Sequence, residues 1–107
     1  MSTVLEKVKR LEQYISADEN AVDQVVEQTL DKLLEREASR LENVKTRLET
    51  QISTFERAYG MPTGEFYSRF ENGELGDAMD FFEWSATFEM LQNLEKRLTL
   101  LESEPQA

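Results

Sequence analysis

The sequence predicts an all-α protein: a long antiparallel helical hairpin or coiled-coil-like bundle with a short connecting helix, assembled as a dimer. Apolar residues recur at helical spacing through most of the 107 residues. Residues 1–58 contain neither glycine nor proline, so no strong helix breaker interrupts them. All four glycines and one of the two prolines lie between residues 59 and 88, where we expect the chain to turn.

The first helix is predicted over residues 3–15. Apolar residues at steps of four, three and four mark one face of it: Val4, Val8, Leu11 and Ile15. Ser16 to Glu19 then matches a capping box, which predicts that a second helix begins at residue 17. Because no glycine or proline forces a break there, one uninterrupted helix from about residue 3 to residue 58 is the alternative.

The long helix is predicted over residues 17–59. Its apolar face is uneven but keeps helical spacing throughout: Val22, Val26, Leu30, Leu33, Leu34, Leu41, Val44, Leu48, Ile52, Phe55 and Tyr59. Gly60 stands where a left-handed residue usually ends a helix, and Pro62 cannot continue one. We therefore expect a sharp stop at residue 59.

Two further helices are predicted after this stop, at residues 63–72 and 77–102. Thr63 would cap the short helix, and Asn72-Gly73 with Gly76 would end it. Asp77 would cap the terminal helix, where exposed N–H groups and the helix dipole favour a carboxylate. Residues 103–107 are predicted to be a frayed tail. The whole chain, residues 1–107, is expected to form a single helical domain.

Helix lengths predict how these elements pack. At about 1.5 Å per residue the long helix spans roughly 60 Å, the terminal helix roughly 37 Å and the first helix about 20 Å. The first helix could fold back along the N-terminal third of the long helix, with the terminal helix antiparallel on the rest. Such a two-layer arrangement leaves apolar surface uncovered, so we expect a homodimer or completion by a different protein.

Composition excludes several functional classes. The net charge of −10 argues against direct nucleic-acid binding, which needs a basic surface, and favours a basic partner. Histidine and cysteine are both absent, which removes the commonest general base, the thiolate nucleophile and the preferred ligands of transition metals. We therefore predict a protein that is not an enzyme, with no catalytic residues, no cofactor and no small-molecule substrate.

The N-terminus lacks the apolar core of a signal peptide, and no run approaches the roughly 18 apolar residues of a membrane span. The expectation is a cytoplasmic protein without a membrane partner.

Residues 59–88 contain eight of the ten aromatic residues, and residues 71–89 contain six carboxylates with no Lys or Arg. Aromatic side chains beside a one-sided negative field predict a recognition surface. The predicted partner-binding residues are Phe66, Tyr67, Phe70, Glu71, Glu74, Asp80, Phe82, Glu83 and Trp84. The alternative is that the aromatic side chains form an internal core where helices meet. In that case the acidic residues are only the ordinary carboxylates of a solvent-exposed helix N-terminus. Phe82 lies about 100° from Phe81 around the helix, at the edge of any such core.

Asp77, Asp80 and Glu83 recur at steps of three and could in principle share a divalent cation. No calcium-loop order is present and histidine is missing, so we predict no metal site.

The run from Phe55 to Leu91 resembles a group of small acidic helical proteins of bacteria and archaea that tend to be encoded beside a small toxin-like partner and are regarded as antitoxin-like. The pieces that carry the resemblance are Tyr59-Gly60-Met61, Glu65-Phe66-Tyr67, Phe70, Gly73-Glu74-Leu75-Gly76-Asp77 and Asp80-Phe81-Phe82-Glu83-Trp84. It covers about a third of the chain, and no separate DNA-binding module accompanies it. The resemblance implies a protein that neutralises a toxin partner by binding it.

We accordingly expect a non-catalytic protein-binding protein, an antitoxin that occludes a basic toxin. The alternative is a structural coiled-coil adaptor whose dimer joins other proteins and inhibits nothing. A small hydrolase or metal enzyme is the class that the composition disfavours most.

Overall fold

The computed structural model describes residues 1–102, which contain four α-helices and one short 3₁₀ turn and no strand. The α-helices are α1 (Val4–Ala17), α2 (Gln24–Tyr59), α3 (Thr63–Glu71) and α4 (Met79–Glu102). The predicted all-α class is confirmed. The chain forms two compact units, Met1–Glu35 and a second that starts at Arg36, where the sequence predicted one domain. The predicted tail lies outside the described residues.

The first two helices are separate, and their junction differs from the predicted capping box. Helix α1 continues to Ala17, and a 3₁₀ turn at Glu19–Ala21 follows. Asp18 accepts the Asn20 N–H at 3.1 Å, and Asp23 accepts the Val26 N–H at 3.0 Å. Asp23 therefore caps α2, which begins seven residues later than predicted because Asp18 caps a separate 3₁₀ turn between the two helices.

No residue of the first unit is buried. The predicted packing of the first helix along the N-terminal third of the long helix would bury the α1 stripe. Val4 instead keeps 79% of its surface exposed and Val8 keeps 54%. That expectation is corrected: in this unit the apolar face of α1 is uncovered.

In the second unit α2 and α4 pack antiparallel, as predicted. Leu41 and Leu48 of α2 form a buried cluster with Leu94 and Leu98 of α4. Near the opposite end of α4, Phe55 stacks on Trp84 at 5.7 Å between ring centroids. Residues later in α2 therefore contact residues earlier in α4. The two helices form an antiparallel hairpin with leucine side chains at their interface.

Helices α2 and α3 both end at a glycine with positive φ, which the sequence predicted for Gly60. Gly60 has φ +60°, and the Met61 N–H donates to the Glu56 carbonyl at 3.3 Å. Gly73 has φ +72°, and the Glu74 N–H donates to the Arg69 carbonyl at 3.0 Å. Each of these two hydrogen bonds is the longer bond of a Schellman motif, in which a left-handed glycine lets the chain turn back and satisfy a terminal carbonyl. At Gly73 the second bond of the motif, from the Gly73 N–H to the Phe70 carbonyl at 3.1 Å, is also formed.

The starts of α3 and α4 depart from the prediction. Pro62, not Thr63, occupies the cap position of α3 and offers no side-chain hydrogen bond. Helix α4 begins at Met79, two residues after the predicted cap Asp77. Thr63 is instead the first helical residue of α3, and its side chain is buried. The hydroxyl is thereby available for contacts with other helices.

Candidate functional site

An aromatic cluster closes the hairpin where α2, α3 and α4 meet. Phe66 of α3 and Trp84 of α4 have no exposed surface. Their rings stack face to face with centroids 3.8 Å apart and planes inclined by 2°. Phe55 and Tyr59 of α2 stack on the same indole at 5.7 and 5.9 Å. The cluster thus joins all three helices through a single tryptophan.

Three hydrogen bonds converge on Thr63 within this cluster. The Trp84 Nε1–H donates to the Thr63 hydroxyl at 3.0 Å. That hydroxyl donates to a Glu56 carboxylate oxygen at 2.9 Å, and the Thr63 backbone N–H donates to the same oxygen at 2.8 Å. We call this arrangement the Glu56–Thr63–Trp84 chain.

The Glu56–Thr63–Trp84 chain explains how α3 begins without a cap residue of its own. Glu56, from α2, provides the acceptor that Pro62 lacks, and its negative charge lies at the positive end of the α3 dipole. The buried indole N–H also has an acceptor. Among the described residues, no buried side-chain polar atom is left without a hydrogen-bond partner.

Two tyrosines attach the rim of the cluster to carboxylates of α4. The Tyr59 hydroxyl donates to Asp80 at 2.6 Å, and the Tyr67 hydroxyl donates to Glu89 at 2.7 Å. The bond to Glu89 is the main cause that raises the pKa of Tyr67 to about 12, with burial and the charges of Glu71 and Glu89 adding to it. The bond to Asp80 likewise raises the pKa of Tyr59 above its ordinary value.

An exposed apolar strip lies on α4 beside the cluster. It consists of Met79, Phe82, Ala86 and Met90, which follow one another at steps of three, four and four and so share one helix face. Met79 is 73% exposed, Phe82 52% and Met90 54%. The Phe82 ring meets Phe70 edge-on at 5.4 Å, and Phe70 stacks on Phe66 at 5.5 Å. A fixed series of rings therefore connects the buried core to this strip.

Exposed carboxylates lie around the strip. Glu83 follows Phe82 directly on α4, and Glu71 ends α3. Glu74 lies 3.9 Å from the Arg69 guanidinium, a long ion pair between exposed groups. Because residues 71–89 contain no Lys or Arg, their side chains produce a field of one sign next to the apolar strip.

The structure corrects two of the predicted partner-binding residues. Phe66 and Trp84 are fully buried, so they hold helices together and have no surface to offer a partner. Asp80 is exposed, but its carboxylate already accepts the Tyr59 hydroxyl. The remaining predicted residues reach the surface at least in part: Tyr67, Phe70, Glu71, Glu74, Phe82 and Glu83.

Sequence reasoning missed the two methionines of the strip. Helical spacing from Phe82 could have found them, since Met79 precedes it by three residues and Met90 follows by eight. It also missed Glu56, for which the sequence offers no local signal: the carboxylate acts across a helix stop on a residue seven positions later.

Between residues 1 and 102, no group of three or more acidic side chains is placed to hold a metal ion. Within the same range, no helix has both the length and the apolarity needed to cross a membrane.

Comparison of the chain with protein-family models, curated proteins and solved structures gives no match. The antitoxin-like resemblance therefore stays a prediction, and what the site does must be argued from its own geometry.

We predict that Thr63 and Trp84 are energetically coupled. Thr63→Val should destabilise the protein by about 1–3 kcal/mol, because it leaves the buried Trp84 N–H without an acceptor. In a Trp84→Phe background the same change should cost distinctly less, since no indole N–H remains to be satisfied. Denaturant unfolding of the four proteins measures the coupling. If the unfolding free-energy costs of the two substitutions add within about 0.3 kcal/mol, the hydrogen bond between Trp84 and Thr63 is contradicted.

We also predict that Tyr67 ionises near pH 12 in the folded protein. Its raised pKa means that folding favours the protonated phenol, so this contribution to stability is present below the unfolded tyrosine pKa of about 10. It is lost as the pH rises through the folded pKa of about 12.

Carbon-13 NMR of labelled tyrosine, followed while the helical circular dichroism signal persists, measures the titration. Glu89→Gln should lower the Tyr67 pKa toward 10, the ordinary value. A native Tyr67 that already ionises near 10 would show that the hydrogen bond to Glu89 is not formed in solution.

Proposed function

We propose that this protein is a non-catalytic protein-binding protein whose α4 apolar strip and surrounding carboxylates bind a basic partner, in the manner of an antitoxin that occludes its toxin. One observation supports this most strongly: Phe82 is 52% exposed although it is held edge-on by the ring of Phe70. An aromatic side chain that is both exposed and pre-ordered can bind at low entropic cost.

The strip has the dimensions of a helix-sized contact. From Met79 to Met90 it extends over about three turns, roughly 17 Å along the axis of α4. Phe82 supplies a rigid anchor within the strip, while the methionine side chains at its two ends adapt their shape to the opposing surface. An apolar patch on a partner, such as one face of an amphipathic helix, fits this contact.

Charge specifies the chemistry of the partner. The chain carries a net charge of −10, and the surface that includes Glu71, Glu74 and Glu83 is predominantly negative, with Arg69 beside Glu74. Exposed charges of one sign accelerate association with an oppositely charged protein and suppress like-charged competitors. A basic toxin would thus be steered to the strip and then covered by it.

The adaptor alternative predicts different behaviour. An adaptor joins proteins without inhibiting them, so its loss would leave a partner's activity unchanged. An occluding protein must reduce that activity. The product of a gene encoded beside this one, where it is basic, is the natural test partner, because the antitoxin-like resemblance implies such a neighbour.

We predict that Phe82→Ala weakens binding to this neighbouring gene product at least tenfold, since truncating an interface anchor costs about 2 kcal/mol or more. Leu100→Ala is the matched control: Leu100 is also an exposed apolar residue of α4 but lies outside the strip. Surface plasmon resonance measures both variants. Growth rescue of cells that express the neighbour should follow the same order.

Reversing Glu71 and Glu83 to lysine should slow association and reduce its salt dependence, with the helical fold retained. Asp80 is left unchanged because its reversal would also remove the hydrogen bond from Tyr59. Glu95→Lys, on the same helix but outside the acidic segment, should behave as wild type. An association rate that changes neither with salt nor with the charge reversals would contradict charge steering. Unaltered binding by Phe82→Ala would contradict the role of the apolar strip in binding.

A further inference from the structure

The first unit contains an amphipathic helix whose apolar face is uncovered. The residues of the α1 stripe that precede Ile15 are all exposed, and no residue from Met1 to Glu35 is buried. The opposite face carries Lys9, Arg10 and Gln13. The sequence of this helix specifies how the apolar face can be covered.

The stripe has coiled-coil spacing, with steps of four, three and four. This spacing places Val8 and Ile15 at a positions of a heptad and Val4 and Leu11 at d positions. Among parallel coiled coils, β-branched residues at a together with leucine at d favour two strands. Val8 and Ile15 are both β-branched, and Leu11 occupies the d position between them.

The flanking charges select the parallel orientation. In this register Lys7 occupies a g position and Glu12 the following e position, five residues later. In a parallel pair, g of one helix lies beside the next e of the other, so Lys7 of each copy faces Glu12 of the second copy. In an antiparallel pair with full overlap, Lys7 would face Tyr14 and Glu12 would face Leu5. Only the parallel pair satisfies both charges.

We propose that α1 is a self-association helix that pairs in parallel with α1 of a second copy of this chain. The pair buries the Val4, Val8, Leu11 and Ile15 stripe and forms two symmetry-related ion pairs between Lys7 and Glu12. Because α1 has only 14 residues, a length at which helices are marginal alone, the association is weak and concentration-dependent. The proposal concerns the first unit and does not depend on the function proposed for α4.

Charge-reversed variants of the full-length chain test this pairing. Lys7→Glu gives a helix with acid at both g and e, and Glu12→Lys gives one with base at both. Each should dimerise about tenfold more weakly than wild type in sedimentation equilibrium from micromolar to near-millimolar concentration. An equimolar mixture of the two should recover dimerisation as a heterodimer, because every g–e pair in it is again of opposite charge.

Lys9→Glu is the matched control, since it makes the same charge change on the outer face of α1 and should leave dimerisation unaltered. The helix content of each variant is measured separately by circular dichroism, so that loss of helix cannot be mistaken for loss of pairing.

A wild-type protein that stays monomeric at near-millimolar concentration would overturn the proposal. So would a mixture of the two variants that dimerises no better than either alone, which would mean that the copies do not pair in the parallel register.

Discussion

The second unit depends on the Glu56–Thr63–Trp84 chain. Three helices meet at the closed end of the hairpin, and each supplies one member of the chain: Glu56 from α2, Thr63 from α3 and Trp84 from α4. The same bonds satisfy the start of α3 and the buried indole N–H. Without them the nine residues of α3 would begin without a side-chain cap, and the largest side chain of the core would carry an unpaired donor. Hydrogen bonding and aromatic stacking therefore position α3 together.

This constraint determines which aromatic side chains keep exposed surface. Phe66 is fully buried where it stacks on Trp84, and its ring also stacks on Phe70. Phe82 is the next ring outward and is half exposed. The two readings of the aromatic segment, internal core or partner surface, thus describe different members of one series of rings. The core members give order, and the outermost one, with the methionines of α4, provides apolar surface within a field of carboxylates.

Much of the fold follows from local sequence signals, and the site follows from them only in part. Gly60 and Gly73 could be recognised as helix stops because positive φ excludes most other residues there. The predicted start of α2 was wrong because Ser16 lies inside α1, and Asp18 and Asp23 cap the two elements that follow. The burial of Phe66 and Trp84 depends on a third helix closing over the hairpin, which periodicity within one helix cannot show.

Native-state hydrogen exchange of the Trp84 indole N–H tests the central claim most directly. If the Glu56–Thr63–Trp84 chain holds the three helices together as one cooperative structure, this proton exchanges only when the whole second unit unfolds. Its free energy of opening should then equal the free energy of unfolding measured with denaturant. An indole N–H that exchanges through local opening, at a free energy several kcal/mol lower, would show that α3 detaches on its own and would contradict a pre-ordered recognition surface.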